Sequence, residues 1–93
     1  MNSPISPWTV ETSAQFDKQV KKLDNQTAAR VNNTLLQIAA TGLPRSKGKQ
    51  LTGNLSQYWC YRIGDYRVIC NLQDTKMVIL AVRTGHRREV YER

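Results

Sequence analysis

The stretch from Tyr58 to Leu72 leaves this chain the fewest choices. It reads Tyr-Trp-Cys-Tyr-Arg-Ile, then Gly64-Asp65, then Tyr-Arg-Val-Ile-Cys-Asn-Leu. Two runs rich in aromatic and β-branched residues around a Gly-Asp pair predict a β-hairpin closed by a two-residue primed turn. If Ile63 pairs with Tyr66, strand alternation sets the remaining partners: Arg62 faces Arg67, Cys60 faces Ile69, and Trp59 faces Cys70. Like charges directly opposed across an antiparallel pair are unfavourable by about 0.2–1 kcal/mol. A hairpin that keeps two arginines there points to an anion between them; the alternative is that both splay into water. The same register sends the Cys60 and Cys70 thiols to opposite faces, so no disulfide is expected, in keeping with a reducing compartment. One His and two Cys without zinc-ligand spacing make no metal site.

Charge narrows the function classes further. The 93 residues suffice for one core and one domain. Their 14 Lys and Arg against 7 Asp and Glu give a net charge of +7, which points to a polyanionic partner. Residues 1–42 contribute four basic and three acidic groups, and residues 43–93 ten basic and four acidic, so the partner is expected to meet the C-terminal half. The chain has no apolar run of about 18 residues to cross a bilayer, and its start lacks the charged and apolar regions of a signal peptide. A cytoplasmic protein without membrane contact is expected.

Along the chain, Met1 to Pro7 reads as a loose tail and residues 8–93 as the single domain. Trp8 to Glu11 alternates like a short strand. Thr12 or Ser13 caps a helix with Phe16, Val20 and Leu23 on one face and Lys18, Lys21 and Lys22 on the other. Asp24 or Asn25 caps a second helix striped by Ala28, Val31, Leu35, Ile38 and Ala39, and Thr41-Gly42 before Pro44 stops it. Leu43 to Asn54 reads as a flexible loop, and its Arg45, Lys47 and Lys49 either contact phosphate or simply keep the loop solvated. After the hairpin, Met77 to Val82 suits a central strand covered on two sides. A tail follows in which Arg83, His86, Arg87, Arg88 and Arg93 surround Tyr91. Arginine beside an exposed aromatic is a way to hold single-stranded RNA; an unstructured basic end with Tyr91 on the sheet edge has the same composition. The pattern predicts an α+β domain: an N-terminal strand, a helical hairpin and a three-stranded antiparallel meander, with the helices on one face of the sheet.

Three segments together resemble a known family. They are Lys49-Gln50-Leu51-Thr52-Gly53-Asn54-Leu55, then Tyr61-Arg62-Ile63-Gly64-Asp65-Tyr66-Arg67-Val68-Ile69, and Gly85-His86-Arg87-Arg88-Glu89-Val90-Tyr91. In sequence and order they resemble the RelE branch of the RelE/ParE toxins of bacterial toxin-antitoxin systems, from Trp8 to Tyr91. The resemblance implies a ribosome-dependent endoribonuclease that cuts messenger RNA in the decoding site. No cofactor is expected, because the seven acidic residues are scattered singly and none pairs with another on a predicted strand to hold a metal ion. The resemblance also implies a RelB-like cognate antitoxin as partner, and operator DNA as a partner of the toxin-antitoxin complex only. By motif, Arg67 looks like the arginine that stabilises charge at the scissile phosphate. Arg87 looks like the one that serves the leaving group, and Tyr91 like the residue that stacks on the messenger. Arg62 and Lys49 would be further phosphate contacts, with Lys47, Arg45, Arg83 and Arg88 as RNA-binding candidates.

The chain departs from the family pattern at two points. Well-studied members carry lysines on the strand before the Gly-Asp turn, one of them proposed as general base, whereas this strand has Trp59, Cys60, Tyr61 and Arg62. Many relatives also have arginine where Cys60 stands. His86, the chain's one imidazole, a side-chain type suited to acid-base work near neutral pH, is then the resident candidate for proton transfer. Two other classes compete with the ribonuclease: a ParE-like toxin that binds DNA gyrase and lacks nuclease activity, and a basic module that only binds RNA or the ribosome.

Overall fold

The structure, a computed structural model, describes residues 7–86. Residues 1–6 of the expected tail, together with Arg87, Arg88 and Tyr91, lie outside the described residues. Strand β1 (Thr9–Thr12) leads into helices α1 (Ala14–Lys21) and α2 (Asn25–Thr41). Strands β2 (Lys49–Gln50), β3 (Trp59–Ile63), β4 (Tyr66–Gln73) and β5 (Val78–His86) follow, and the sheet order is β1-β5-β4-β3-β2. The N-terminal strand lies parallel to β5, and every other pairing is antiparallel.

Local chemistry accounts for the helix boundaries. Ser13 caps α1: its Oγ accepts the Phe16 N–H at 3.0 Å, and its hydroxyl donates to the Val82 carbonyl at 2.8 Å, which ties the helix start to β5. Asp24 caps α2 by accepting the Thr27 N–H at 3.1 Å and hydroxyl at 2.6 Å. Those bonds stabilise the charged form and hold its carboxyl below the usual carboxylate range. Gly42, at φ 72°, ends α2 in the left-handed conformation that glycine adopts without strain. Phe16, Val31, Leu35, Ile38 and Ala39 are buried against Tyr61, Ile63, Val68, Cys70, Ile79 and Ala81 of the sheet. Each fully buried large apolar side chain contributes about 1.5–3 kcal/mol, so this single interface carries the fold.

Three expectations are corrected. Leu43 to Asn54 is not a flexible loop but contains two short 3-10 turns, Pro44–Ser46 and Gly53–Leu55, and the edge strand β2. Long-range tethers hold it: the Tyr61 hydroxyl donates to the Pro44 carbonyl, and Trp59 Nε1–H to the Lys47 carbonyl at 2.7 Å. The basic tail does not begin at Arg83, since β5 runs through to His86. Met77, expected as the first strand residue, sits in the preceding turn at φ 56°.

Candidate nucleic-acid interface

Strand alternation gives the sheet two faces of different character. Trp59, Tyr61, Ile63, Val68, Cys70, Leu72, Ile79 and Ala81 point to the helices. The opposite face holds a small separate cluster in which buried Cys60 and Ile69 meet Leu51, Tyr58 and Val82. Around that cluster the pairing arranges the basic residues in rows. Lys49 faces Cys60, Cys60 faces Ile69, and Ile69 faces Arg83. In the next row Arg62 faces Arg67, as the hairpin register requires, and Arg67 faces Gly85. None of the described acidic residues stands in either row.

An irregularity in β5 produces this alignment. Cys70 pairs with Ala81 but Ile69 with Arg83, so Val82 is an extra residue in the ladder. Without the bulge, Arg67 would face Thr84. With it, the neighbour of Arg67 on β5 is Gly85, which has no side chain to crowd the guanidinium. Thr84 turns inward, 3% exposed, and fixes the local backbone from both sides. Its hydroxyl donates to the Arg67 carbonyl at 2.8 Å, and its N–H to Gln19 Oε1 on α1 at 2.7 Å. The residue pattern hints at that bulge only through Thr84, a polar residue that packs beneath the helices between Arg83 and Gly85.

The other site residues expected from sequence separate into groups. Arg62 is exposed and Arg67 half-buried, side by side on the helix-free face, with Lys49 and Arg83 in the adjoining row. His86 falls elsewhere. It pairs with Tyr66, which pairs with Ile63 of the main core, so alternation places it on the opposite face from Arg62 and Arg67. There its ring meets Tyr66 edge-on, with centroids 5.8 Å apart. Arg45 makes a two-pronged ion pair with Asp74, at 2.8 and 3.0 Å, and lies over the Trp59 ring at 5.8 Å from its centroid. The pair raises the guanidinium pKa and lowers that of the Asp74 carboxyl. Lys47 anchors Trp59 through its carbonyl while its own side-chain end of the loop is exposed.

Neither cysteine is in a disulfide, and the two are buried on opposite faces, as the register implied. Burial pushes the Cys70 thiol well above its ordinary value, so it remains a neutral core group. Among the described residues, no three of His, Cys, Asp and Glu gather where they could hold a metal ion. No helix among them is long and apolar enough to cross a membrane.

A helical hairpin on one face of a mixed sheet, with basic rows on the other, defines a small α+β domain built to present cations from strands. Residues 10–91 match the family described as the ParE toxin of type II toxin-antitoxin systems, and the chain belongs to that family. No curated protein shows significant similarity to the chain. Among solved structures, the toxin-antitoxin complex RelBE2 from Mycobacterium tuberculosis is similar at TM-score 0.71 and 23% identity, over 91% of this chain and 97% of that one. The isolated Escherichia coli RelE toxin gives 0.70 and 17%, over 85% and 83%. The archaeal RelE-RelB complex from Pyrococcus horikoshii OT3 gives 0.68 and 24%, over 87% and 96%. The protein is a type II toxin of the RelE/ParE superfamily with a RelE-like fold.

Proposed function

We propose that the chain is a ribosome-dependent endoribonuclease that cuts messenger RNA during translation, and that a RelB-like antitoxin restrains it. The observation that carries this reading is the direct opposition of Arg62 and Arg67 on the helix-free face, with Lys49 and Arg83 in the adjoining row and no described acid in either row. Such a surface suits a phosphodiester. RNA supplies its own nucleophile, a 2′-hydroxyl tethered beside the phosphate at high effective molarity, so the protein has only to align it and stabilise charge. The 2′-oxygen loses its proton and bonds to phosphorus, the bond to the 5′-oxygen breaks, and that oxygen takes up a proton. The products are a 2′,3′-cyclic phosphate and a 5′-hydroxyl end, and no metal is required.

In this mechanism Arg62 and Arg67 neutralise the non-bridging oxygens. Guanidinium groups as a class are poor bases, so an arginine pair acts as an electrostatic clamp. Arg87 and Tyr91 take the leaving-group and messenger-stacking roles that the family resemblance implies, with Lys49, Lys47, Arg45, Arg83 and Arg88 along the RNA path. The toxin acts in the cytoplasm, and its +7 charge makes it a target for an acidic segment of the antitoxin. Complexes of RelE with RelB among the structural relatives support that partner. Operator DNA is a partner of the assembled pair alone.

The test is single-turnover cleavage on ribosomes programmed with a defined message. The expected result is a cut within the codon being decoded, a loss of about 10²-fold or more in rate for Arg67→Ala, and no cut when the scissile nucleotide is 2′-deoxy. Cleavage of the deoxy message overturns the mechanism, and no cleavage at all overturns the reading. His86→Gln belongs in the same series: a rate within about threefold of wild type removes His86 as a required base. The family match favours one second reading, a ParE-like toxin that binds DNA gyrase without cutting RNA; loss of gyrase supercoiling with messages left intact selects it.

A further inference from the structure

Of the described aromatic residues, Trp8, Phe16, Trp59 and Tyr61 belong to the core beneath the helices, and Tyr66 stands in the Ile63 row on that same side. Three of them are further committed: Trp59 Nε1–H and the Tyr61 hydroxyl donate to loop carbonyls, and Tyr66 meets His86 edge-on. Tyr58 alone among the described aromatics lies on the helix-free face, the face of Arg62 and Arg67. There, half-buried, it packs with Leu51 and Val82 against Cys60 and Ile69.

The sheet leads from the arginines to this ring without changing face. Carried one residue back from β3, alternation puts Tyr58 in line with Cys60 and Arg62, about 13 Å from Arg62 at the rise of a strand. Lys49 faces Cys60, so it is a diagonal neighbour of Tyr58, about 7–8 Å away and within reach of a long side chain. Leu51 stands directly across, its N–H donating to the Tyr58 carbonyl at 3.1 Å. In the other direction the β3–β4 register, extended by one step, brings Tyr58 to Asn71, which faces Leu80. That row reaches an acid only at the far edge of the sheet, at Glu11 on β1. The face therefore runs from paired arginines, past Lys49, to an uncharged patch around one aromatic ring. Single-stranded RNA carries the matching sequence of groups, a phosphate track with flat bases beside it, and an aromatic ring next to a cationic track is the usual seat for such a base. A phosphate on the same patch would lie against Leu51 and Val82, with Lys49 its one cation in the neighbouring row.

We propose that Tyr58 is a stacking platform for one unpaired base of the bound RNA, a few nucleotides from the phosphate held by Arg62 and Arg67, with Lys49 on a phosphate between. The proposal rests on the ribonuclease reading for the identity of the strand, but its test needs no cleavage. Full-length protein with ¹³C-labelled tyrosine rings is titrated with a single-stranded RNA hexamer, with the same hexamer made abasic throughout, and with hexaglutamate. The Tyr58 ring signals, identified by their absence in Tyr58→Phe, are expected to move upfield with the intact hexamer and to stay in place with the other two. Tyr58→Leu keeps the apolar packing but not the ring, and weakens hexamer binding about fivefold or more. It leaves the salt dependence of binding unchanged, whereas Arg62→Gln lowers the slope of log K against log salt by about 0.7, the share of one phosphate on a single strand. Tyr58→Phe, which restores a ring, restores binding. Equal hexamer binding by wild type and Tyr58→Leu overturns the proposal, and so does an equal loss with abasic RNA. Ring signals that follow the abasic hexamer mark a phosphate site, and signals that follow hexaglutamate but not RNA mark a docking patch for an acidic protein; each overturns it too. Ring movement in a protein that leaves messages uncut on the ribosome keeps the platform and defeats the ribonuclease reading alone, while cut messages with an unmoved ring defeat the platform alone.

Discussion

Replacing Arg62 by Gln should make the protein more stable while weakening the proposed RNA clamp. Arg62 and Arg67 are direct cross-strand partners, so their Cβ atoms lie about 5 Å apart. With the guanidinium groups relaxed to about 7 Å in water, Coulomb's law gives a repulsion of ~0.6 kcal/mol before screening. At 10 mM salt the Debye length of about 30 Å leaves ~0.5 kcal/mol; at 0.15 M, with about 8 Å, ~0.25 kcal/mol remains; at 1 M almost nothing does. For a domain of this size 1 kcal/mol shifts Tm by about 4–8 °C. Arg62→Gln is therefore expected to raise Tm by about 2–4 °C at 10 mM salt and to lose that advantage at 1 M. Thermal unfolding followed by circular dichroism reads the difference, and Arg62→Lys, which keeps the charge, should show no gain. A variant that is no more stable than wild type at low salt, or whose gain survives 1 M salt, refutes the account of the opposed pair as stored repulsion.

Two further outcomes probe the elements that hold the rows in place. Gly48 sits at φ 75°, and a Cβ there would come within 2.4 Å of the Cys60 carbonyl oxygen, whereas Gly53, at φ 67°, has open space around it; Gly48→Ala should cost about 3 kcal/mol or more and Gly53→Ala about 1–2 kcal/mol in urea unfolding, and equal costs would show that the loop is not clamped onto β3. The Asp74 carboxyl lies below its ordinary value of 3.8 because Arg45 hydrogen-bonds to its charged form, so the pair's stabilisation is present above that value and fades as pH falls through the lower folded value. Asp74→Asn should accordingly flatten the acid limb of a stability-against-pH curve below about pH 4, and an unchanged acid limb would remove the pair from the account.

Much of this arrangement is legible in the residue pattern because a strand has a period of two. Once Gly64-Asp65 marks the turn, the Arg62–Arg67 pairing and the opposed directions of Cys60 and Cys70 follow without tertiary information, and each is realised. The helix starts were readable to within one residue, as Thr12 or Ser13 and Asp24 or Asn25, and the stop at Gly42 directly, since the capping bonds of Ser13, Asp24 and Gly42 are local. What could not be read depends on distant partners. Two residues of β2 carry no periodicity, and the tethers that order their loop come from Tyr61 and Trp59, more than ten positions away. The bulge at Val82 shifts β5 by one residue, and that shift decides which of Arg83, Gly85 and His86 share a face with Arg67. A single extra residue therefore separates His86 from the arginine row with which the linear motif grouped it.

The bulge also explains how one strand can serve both packing and charge. Up to Ala81, β5 is held between β1 and β4, and its alternate residues Ile79 and Ala81 are fully buried beneath the helices. Beyond Ala81, β1 has ended, and α1 takes over the exposed edge through the Ser13 hydroxyl on the Val82 carbonyl and the Gln19 amide on the Thr84 N–H. These side-chain bonds satisfy backbone groups that would otherwise invite another strand. They also let β5 change register without leaving donors and acceptors orphaned. The helix that anchors the core is thus the element that holds Thr84, and Thr84 holds the carbonyl of Arg67. The backbone beneath Arg67 is held from the far side of the sheet, so loosening Gln19 or Thr84 should disturb the proposed RNA clamp before it unfolds the domain.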